Sequence, residues 1–153
     1  MSSDLWSFSL ATYARPGVED AYLQLQTAGA NVCLLLCGLW LEQRGVRCDE
    51  QRAKQLQALT EPWDLEVVQP LRTLRMQWKS RAFDDAVLKG MREQIKSLEL
   101  EAERTLLSRL EGVAQAWTRN DTGSNTWLEG LAGTAASTNR DALQVLRVAA
   151  IGT

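Results

Sequence analysis

The chain has 153 residues, of which 45% are apolar and 24% charged, and its formal net charge is -2. These values predict one soluble globular domain and argue against whole-molecule attraction to nucleic acid or to anionic membranes. The absence of histidine excludes Ser-His-Asp and Cys-His catalysis, together with metal sites that need imidazole ligands.

The cysteines and the N-terminus indicate the compartment. The chain has three cysteines, two of them inside an apolar stretch, which is not the pattern of a secreted disulfide framework. The first residues, Met-Ser-Ser-Asp-Leu-Trp, lack the basic region of a signal peptide. The longest apolar run has about ten residues, against about twenty needed to span a bilayer. We therefore predict a cytoplasmic protein without membrane insertion.

Two helices are predicted before residue 30. The first covers residues 3–14, with Ser3 as its N-cap, and ends before Pro16-Gly17. The second runs from Val18 to Thr27, where apolar side chains recur at helical spacing, and Gly29 ends it.

The third predicted helix organises the chain. It runs from Val32 to about Arg44, with Asn31 as its N-cap, and it is apolar on all sides up to Leu41. Such a helix is typically buried. We therefore predict a central helix at about 32–44, with Gly38 allowing another backbone to approach closely. Its cysteines are expected to be small buried apolar residues rather than a metal or redox pair. They are Cys33 and Cys37.

Three further helices are predicted up to residue 117. One runs from Cys48 to Leu59 and is followed by a break at residues 60–64. The next, from Trp63 to Ser80, should be kinked or divided just before Pro70. The longest begins at Asp84-Asp85 and runs to about Trp117, with apolar side chains at spacings of three and four.

The character of the sequence changes after residue 117. Residues 118–125 read as a loop, one helical turn is expected near Trp127, and a last helix is expected from Asp141 to Ile151. We predict an all-α fold, a single compact bundle of five to seven helices. Residues 1–117 would form the bundle domain, and residues 118–153 a loop and short C-terminal helix that pack loosely or dock on the bundle.

An acidic cluster on the long helix carries the main question of function. By helical projection Glu99 falls inside the apolar stripe, Glu103 at its edge, and Glu101 outside it. A carboxylate in an apolar stripe must be paired, protonated or bound to metal, and a di-metal site would also need histidines. Pairing is therefore predicted. The candidate partners are the basic residues of the preceding helix, Arg72, Arg75 and Lys79.

The tryptophans suggest interaction surfaces. The chain has six, of which Trp40 is expected in the core. Trp63 and Trp127 flank helix breaks and are candidates for exposed interface anchors. Trp78 lies among the basic residues, a combination that also occurs in single-stranded nucleic acid binding. The negative net charge argues against that reading.

Taken together, these segments resemble an uncharacterised family of small helical bacterial proteins, a domain family of unknown function. The similarity covers about residues 4–110. The matching pieces are Leu5-Trp6-Ser-Phe8, Pro16-Gly17-Val18, Asn31-Val-x-Leu34-Leu35-Leu36-x-x-Leu39-Trp40-Leu41, Trp63, Pro70-Leu71-Arg72-x-x-Arg75-x-x-x-Lys79 and Glu99-Leu100-x-Ala102-Glu103-Arg104. The resemblance implies an all-helical fold but no activity, and it directs attention to the polar members of these motifs.

Two functions are predicted, with no catalytic residue, cofactor or metal. The first is a non-enzymatic cytoplasmic interaction or regulatory module that binds a protein partner through the basic and aromatic face of the fifth helix. The alternative is a small-molecule or anion-binding protein, or an enzyme, with an interhelical Arg/Glu pocket. Nucleic acid binding is not expected, and the pattern is compatible with a homodimer. The candidate binding residues are Arg72, Arg75, Lys79, Trp78, Glu99, Glu103 and Asn31.

Overall fold

A computed structural model describes residues 4–117 and 126–151, and every regular element within these ranges is helical. This confirms the predicted all-α fold. The α-helices are α1 Leu5–Tyr13, α2 Val18–Thr27, α3 Val32–Gln43, α4 Glu50–Trp63, α5 Gln69–Gln77, α6 Lys79–Phe83, α7 Ala86–Ala114, α8 Trp127–Ala132, α9 Thr134–Thr138 and α10 Arg140–Ile151. A π-helical segment, Asp64–Val68, joins α4 to α5. The helical segments outnumber the five to seven predicted because the fifth predicted helix and the tail are both divided.

Helix α3 is the centre of the structure, as predicted. All ten residues from Cys33 to Glu42 are buried. The Asn31 side chain caps the helix, accepting a hydrogen bond from Leu34 N at 3.0 Å. The helices that contact it are α1, α2, α4, α7, α8 and α10. A helix without a polar side is therefore covered on all sides by other helices.

Helix α8 lies directly over Gly38. A Cβ atom at this position would lie 2.8 Å from Leu131 Cδ1 and 3.3 Å from Trp127 Cβ. Trp127 is 0% exposed, so its prediction as an exposed anchor was wrong. The indole can be buried because its Nε1–H donates to the Val46 carbonyl at 2.8 Å, which leaves no donor unpaired.

A buried carboxylate at the end of α3 holds the C-terminal helices. Arg147 of α10 donates through Nε and Nη2 to the two oxygens of Glu42, both at 2.9 Å. Leu128 N, at the start of α8, donates to the same carboxylate at 3.1 Å. Hydrogen bonds to Glu42 and then to Glu129 raise the pKa of Arg147. Apolar residues of 126–151 also belong to the same core cluster as those of the earlier helices.

The two prolines of the middle region both lie within helical structure. The predicted break at residues 60–64 was wrong, because α4 continues through Pro62 into the π-helical segment. A π-helical turn uses wider hydrogen bonds, so it can absorb the disturbance that a proline introduces. The chain is not broken at Pro70 either: Val68 and Gln69 keep right-handed helical dihedral angles, and only the helix type changes there, from π to α, with the proline in the first turn of α5.

The N-caps of α1 and α7 are both aspartate side chains that accept hydrogen bonds from backbone N–H groups of the first turn. Asp4 caps α1 by accepting from Ser7 N at 2.7 Å, whereas Ser3, the predicted cap, lies outside the described residues. Asp85 caps α7 by accepting from two backbone N–H groups, each at 3.1 Å. Both carboxylates also suit the positive end of the helix dipole.

The two halves of α7 differ in burial. Its buried apolar residues all lie in the second half, from Ala102 to Ala114. The first half packs beside α5 and α6, and several members of its apolar stripe, including Met91 and Leu98, are exposed. None of the described helices combines the length and hydropathy needed to cross a membrane.

Gly38→Ala should lower the free energy of unfolding by about 1–3 kcal/mol, because the added methyl group overpacks the contact between α3 and α8. Chemical denaturation checks this. Gly90→Ala is the matched control, since a Cβ there meets no atom within 4 Å; it should raise stability by about 0.5–1 kcal/mol. A Gly38→Ala variant as stable as the parent would contradict the close approach.

Candidate functional site

An ion-pair network joins α5 to α7. Arg75 binds Glu99 with two bonds, Nε to Oε1 at 2.8 Å and Nη2 to Oε2 at 3.2 Å. Arg72 lies 3.7 Å from Glu99 through Nε, and its Nη2 donates to Glu103 at 3.3 Å. The Glu99 side chain is only 9% exposed, so the predicted pairing of a carboxylate within the apolar stripe is confirmed. We name these four residues the Arg/Glu network.

The predicted basic strip is divided between two environments. The paired arginines are partly buried, whereas Lys79 is exposed and Trp78 is half-buried. The reason is that α5 ends at Gln77 and a new helix begins at Lys79, so one helical projection does not cover both. Arg92, which the sequence analysis did not identify, adds to the network by donating from Nε to the Arg75 carbonyl at 2.9 Å.

Glu103 and Arg75 are the members of the network whose pKa values are raised. Burial raises the pKa of the Glu103 carboxyl, the nearby Glu99 raises it further, and Arg72 partly offsets both. Glu99 has a different role, because its hydrogen bonds raise the pKa of Arg75 and keep that guanidinium charged. One carboxylate therefore holds the two helices together, while the other takes up a proton more readily than an ordinary glutamate.

A cavity of about 510 Å³ lies beside the network, between α1, α3, the π-helical segment, α5 and α7. Its size is typical of pockets that bind small molecules. The floor is buried and includes Cys33, Leu36, Leu106 and Leu107. The rim is exposed and includes Leu10, Tyr13 and Leu100. The cavity is thus an apolar cleft that opens to solvent.

Polar residues from five elements line this cleft: α1, the N-cap of α3, the π-helical segment, α5 and α7. They include Ser9, Asn31, Asp64, Arg72 and Glu103. Three of these were predicted from the sequence. Ser9 and Asp64 were not, although Ser9 follows Leu5 by one helical turn and so shares its buried face.

The Ser9 hydroxyl stands out because it lacks a partner. The residue is 4% exposed, and its Oγ atom makes no hydrogen bond within the described part of the chain. Leaving a buried hydroxyl unsatisfied costs about 1–3 kcal/mol. The Oγ atom itself has almost no accessible surface, so it lies just behind the wall of the cleft and offers no hydrogen-bonding group to its interior.

The cysteines behave as buried apolar residues, as predicted. Cys33 and Cys37 are buried and free, and burial raises the pKa of both thiols, which keeps them protonated and unreactive. Cys33 also donates a weak hydrogen bond to the Glu103 carbonyl, with 3.8 Å between sulfur and oxygen. Across residues 4–117 and 126–151, no group of three cysteine, aspartate or glutamate side chains is placed to hold a metal ion.

Most of the tryptophans are used inside the fold. Four of them lie under arginine side chains, with 4.3 to 5.0 Å between the guanidinium carbon and the ring centroid. Trp63, predicted as an exposed anchor, is half-buried under Arg109, and its Nε1–H donates to the Ala102 carbonyl at 2.9 Å. The surplus of tryptophan and arginine therefore stabilises the monomer and is weaker support for an interface than the sequence suggested.

Glu99→Ala should lower the free energy of unfolding by about 1–3 kcal/mol, because Arg75 would lose its only recorded ion-pair partner among the described residues. Glu101→Ala is the matched control on the same helix; its side chain is exposed, so the change should stay within about 0.5 kcal/mol. Denaturant unfolding measures both. Equal effects of the two substitutions would show that the network does not hold α5 on α7.

Comparison with known proteins places the chain in a family. Residues 4–110 match the family model described as Protein of unknown function (DUF2390), which confirms the resemblance seen in the sequence. The matched span contains every predicted binding residue, whereas α8 to α10 lie beyond it. No curated protein and no solved structure matches the chain. The chain therefore belongs to DUF2390, a family of proteins of unknown function.

Proposed function

We propose that this protein binds a small amphipathic molecule in the cleft between α1, α3, α5 and α7. The observation that carries the proposal is an apolar cleft of about 510 Å³ with a buried floor, whose lining also includes the polar side chains of Asp64, Arg72 and Glu103. Binding sites typically combine a mostly apolar lining with a few polar groups that orient the ligand. The proposed compartment is the cytoplasm, as predicted from the sequence.

The Arg/Glu network favours this function over binding at a basic helix face. Arg72 and Arg75 already bind carboxylates of α7, so a partner at that face would have to displace them. The same network supplies one end of the cleft with an arginine and a titratable carboxyl. The Arg/Glu network can therefore bind a polar group of a ligand while its own ion pairs stay intact.

Filling the mouth of the cleft should weaken ligand binding. Ala14 and Ala11 are both exposed alanines of α1 and its C-cap, but only Ala14 is among the residues that line the cleft. Ala14→Trp should weaken binding of the neutral fluorescent probe N-phenyl-1-naphthylamine by about tenfold, or about 1.4 kcal/mol, and Ala11→Trp should leave it unchanged. Fluorescence titration measures both.

Two outcomes would count against the small-molecule function. The parent protein would show no saturable fluorescence increase with the probe, or the two tryptophan variants would bind it equally well. Circular dichroism of both variants serves as the control for folding.

A second function, binding of a protein partner, is favoured by an exposed apolar surface where α6 meets α7. Phe83 is 89% and Val87 75% exposed, and Met76 of α5 is also exposed. The basic side chains Lys79 and Arg81 are exposed on the same short helix, α6. Apolar residues of this kind, flanked by charge, are typical of interaction sites. The acidic side chains Asp84 and Asp85 are exposed beside Phe83 as well, so the surface carries charges of both signs and would suit a partner with an apolar contact area.

Phe83→Ser combined with Val87→Ser should abolish capture of such a partner by the tagged protein, because it removes the apolar contact area. Leu65→Ser is the matched control, since Leu65 is equally prominent at 72% exposed but lies on the π-helical segment. Affinity capture with quantitative mass spectrometry measures the effect. Undiminished capture by the double variant would exclude this surface.

A further inference from the structure

We infer that the molecule bound in the cleft is a cation, an ammonium group on an apolar body, and that Asp64 and Glu103 hold the ammonium. This inference rests on the small-molecule function proposed above. The added element is the charge of the ligand, which the size and the apolar floor of the cleft do not determine.

The charges around the cleft carry the argument. Its lining contains the acidic residues Asp64 and Glu103 and one basic residue, Arg72. The guanidinium of Arg72 is shared between Glu103 at 3.3 Å and Glu99 at 3.7 Å. An anionic ligand would therefore have to displace a carboxylate from Arg72 in a partly buried site. A cationic ligand would instead compensate the excess negative charge.

The two carboxylates act on the same wall of the cleft. Burial has the largest effect on the pKa of the Cys33 thiol and raises it; Glu103 raises it further, Arg72 partly offsets this, and Asp64 raises it by a smaller amount. The Cys33 thiol also donates to the backbone carbonyl of Glu103. Asp64 is kept in place by Gln69, whose Nε2 donates to its Oδ2 at 3.1 Å. An ammonium group near Cys33 would therefore meet a carboxylate from α7 and one from the π-helical segment.

Aromatic residues add a second contact that favours a cation. Trp6 and Tyr13 of α1 both line the cleft, and the electron-rich faces of such rings attract cations. One face of the Trp6 ring already accepts Arg104, whose guanidinium carbon lies 4.8 Å from the ring centroid, and one face of Tyr13 stacks on Tyr22 with 5.8 Å between centroids. A ligand cation would therefore use the opposite face of either ring. The apolar body of the ligand would lie on Leu36, Leu106 and Leu107.

Binding of such a ligand should be coupled to the protonation of Glu103. An ammonium favours the ionised carboxylate, so the affinity should fall as the pH is lowered from neutral through the raised Glu103 pKa toward the ordinary value of 4.5. Several groups face or surround this carboxyl. They are Glu99 on α7, Arg72 and Arg75 on α5, Tyr13 on α1 and Cys33 on α3. Asp64, on the π-helical segment, acts on the Cys33 thiol.

The test uses three probes with one ring system and different charge: 1-naphthylmethylammonium, 1-naphthylmethanol and 1-naphthoate. Isothermal titration calorimetry on the full chain at neutral pH should show the ammonium binding at least about tenfold more tightly than either of the others. Glu103→Gln and Asp64→Asn should each weaken the ammonium by about tenfold and leave the alcohol unchanged. Glu101→Gln, an exposed carboxylate outside the cleft, is the matched control.

The outcomes separate this inference from the function on which it rests. If the alcohol or the naphthoate binds as tightly as the ammonium, the cationic ligand class is overturned while the cleft still binds small molecules. If none of the three binds, and N-phenyl-1-naphthylamine does not bind either, the proposed function itself fails. Should Glu103→Gln not fold, Asp64→Asn and the pH dependence of the parent protein decide the question.

Discussion

Burial of α3 on every side constrains the rest of the structure, because both ends of the helix carry polar groups that need partners inside the protein. At its start, Asn31 satisfies a backbone N–H of the first turn. At its end, Glu42 is buried and bonds both to Arg147 and to the backbone of α8. A buried carboxylate without a partner would destabilise the fold, because it would lose its hydration without gaining hydrogen bonds. The C-terminal helices are thus held on the core by polar pairing as well as by apolar contact.

Helix α5 is attached to the bundle in a different way. None of its residues is fully buried, so the arginines that bind Glu99 and Glu103 carry much of its contact with α7. Charged pairs of this kind are weak as a source of stability but specific in geometry. They hold α5 and the π-helical segment beside α1 and α3 without closing the space between them. The cleft and the Arg/Glu network are therefore parts of one arrangement, in which the pairing that positions α5 also supplies the charges of the cleft.

Much of this could be predicted from local pattern. The uniform hydrophobicity of residues 32–41 predicted a central helix, and the spacing of side chains around Glu99 predicted a paired carboxylate. The capping role of Asn31 and the change of helix type just before Pro70 also follow from chemistry within one or two helical turns. Each of these features depends on neighbours close in the chain, which a linear sequence shows directly.

The remaining features depend on residues that are far apart in the chain. Glu42 and Arg147 are separated by 105 positions, and Trp127 is buried only because Gly38 and the Val46 carbonyl lie beneath it. The cleft is the space left between helices whose packing no periodicity specifies. By itself, then, the sequence determined the helical fold, its central helix and the charges of α5 and α7. Only the tertiary structure decided which charges meet, which tryptophans are buried and where a cleft remains open, because these follow from packing between distant segments.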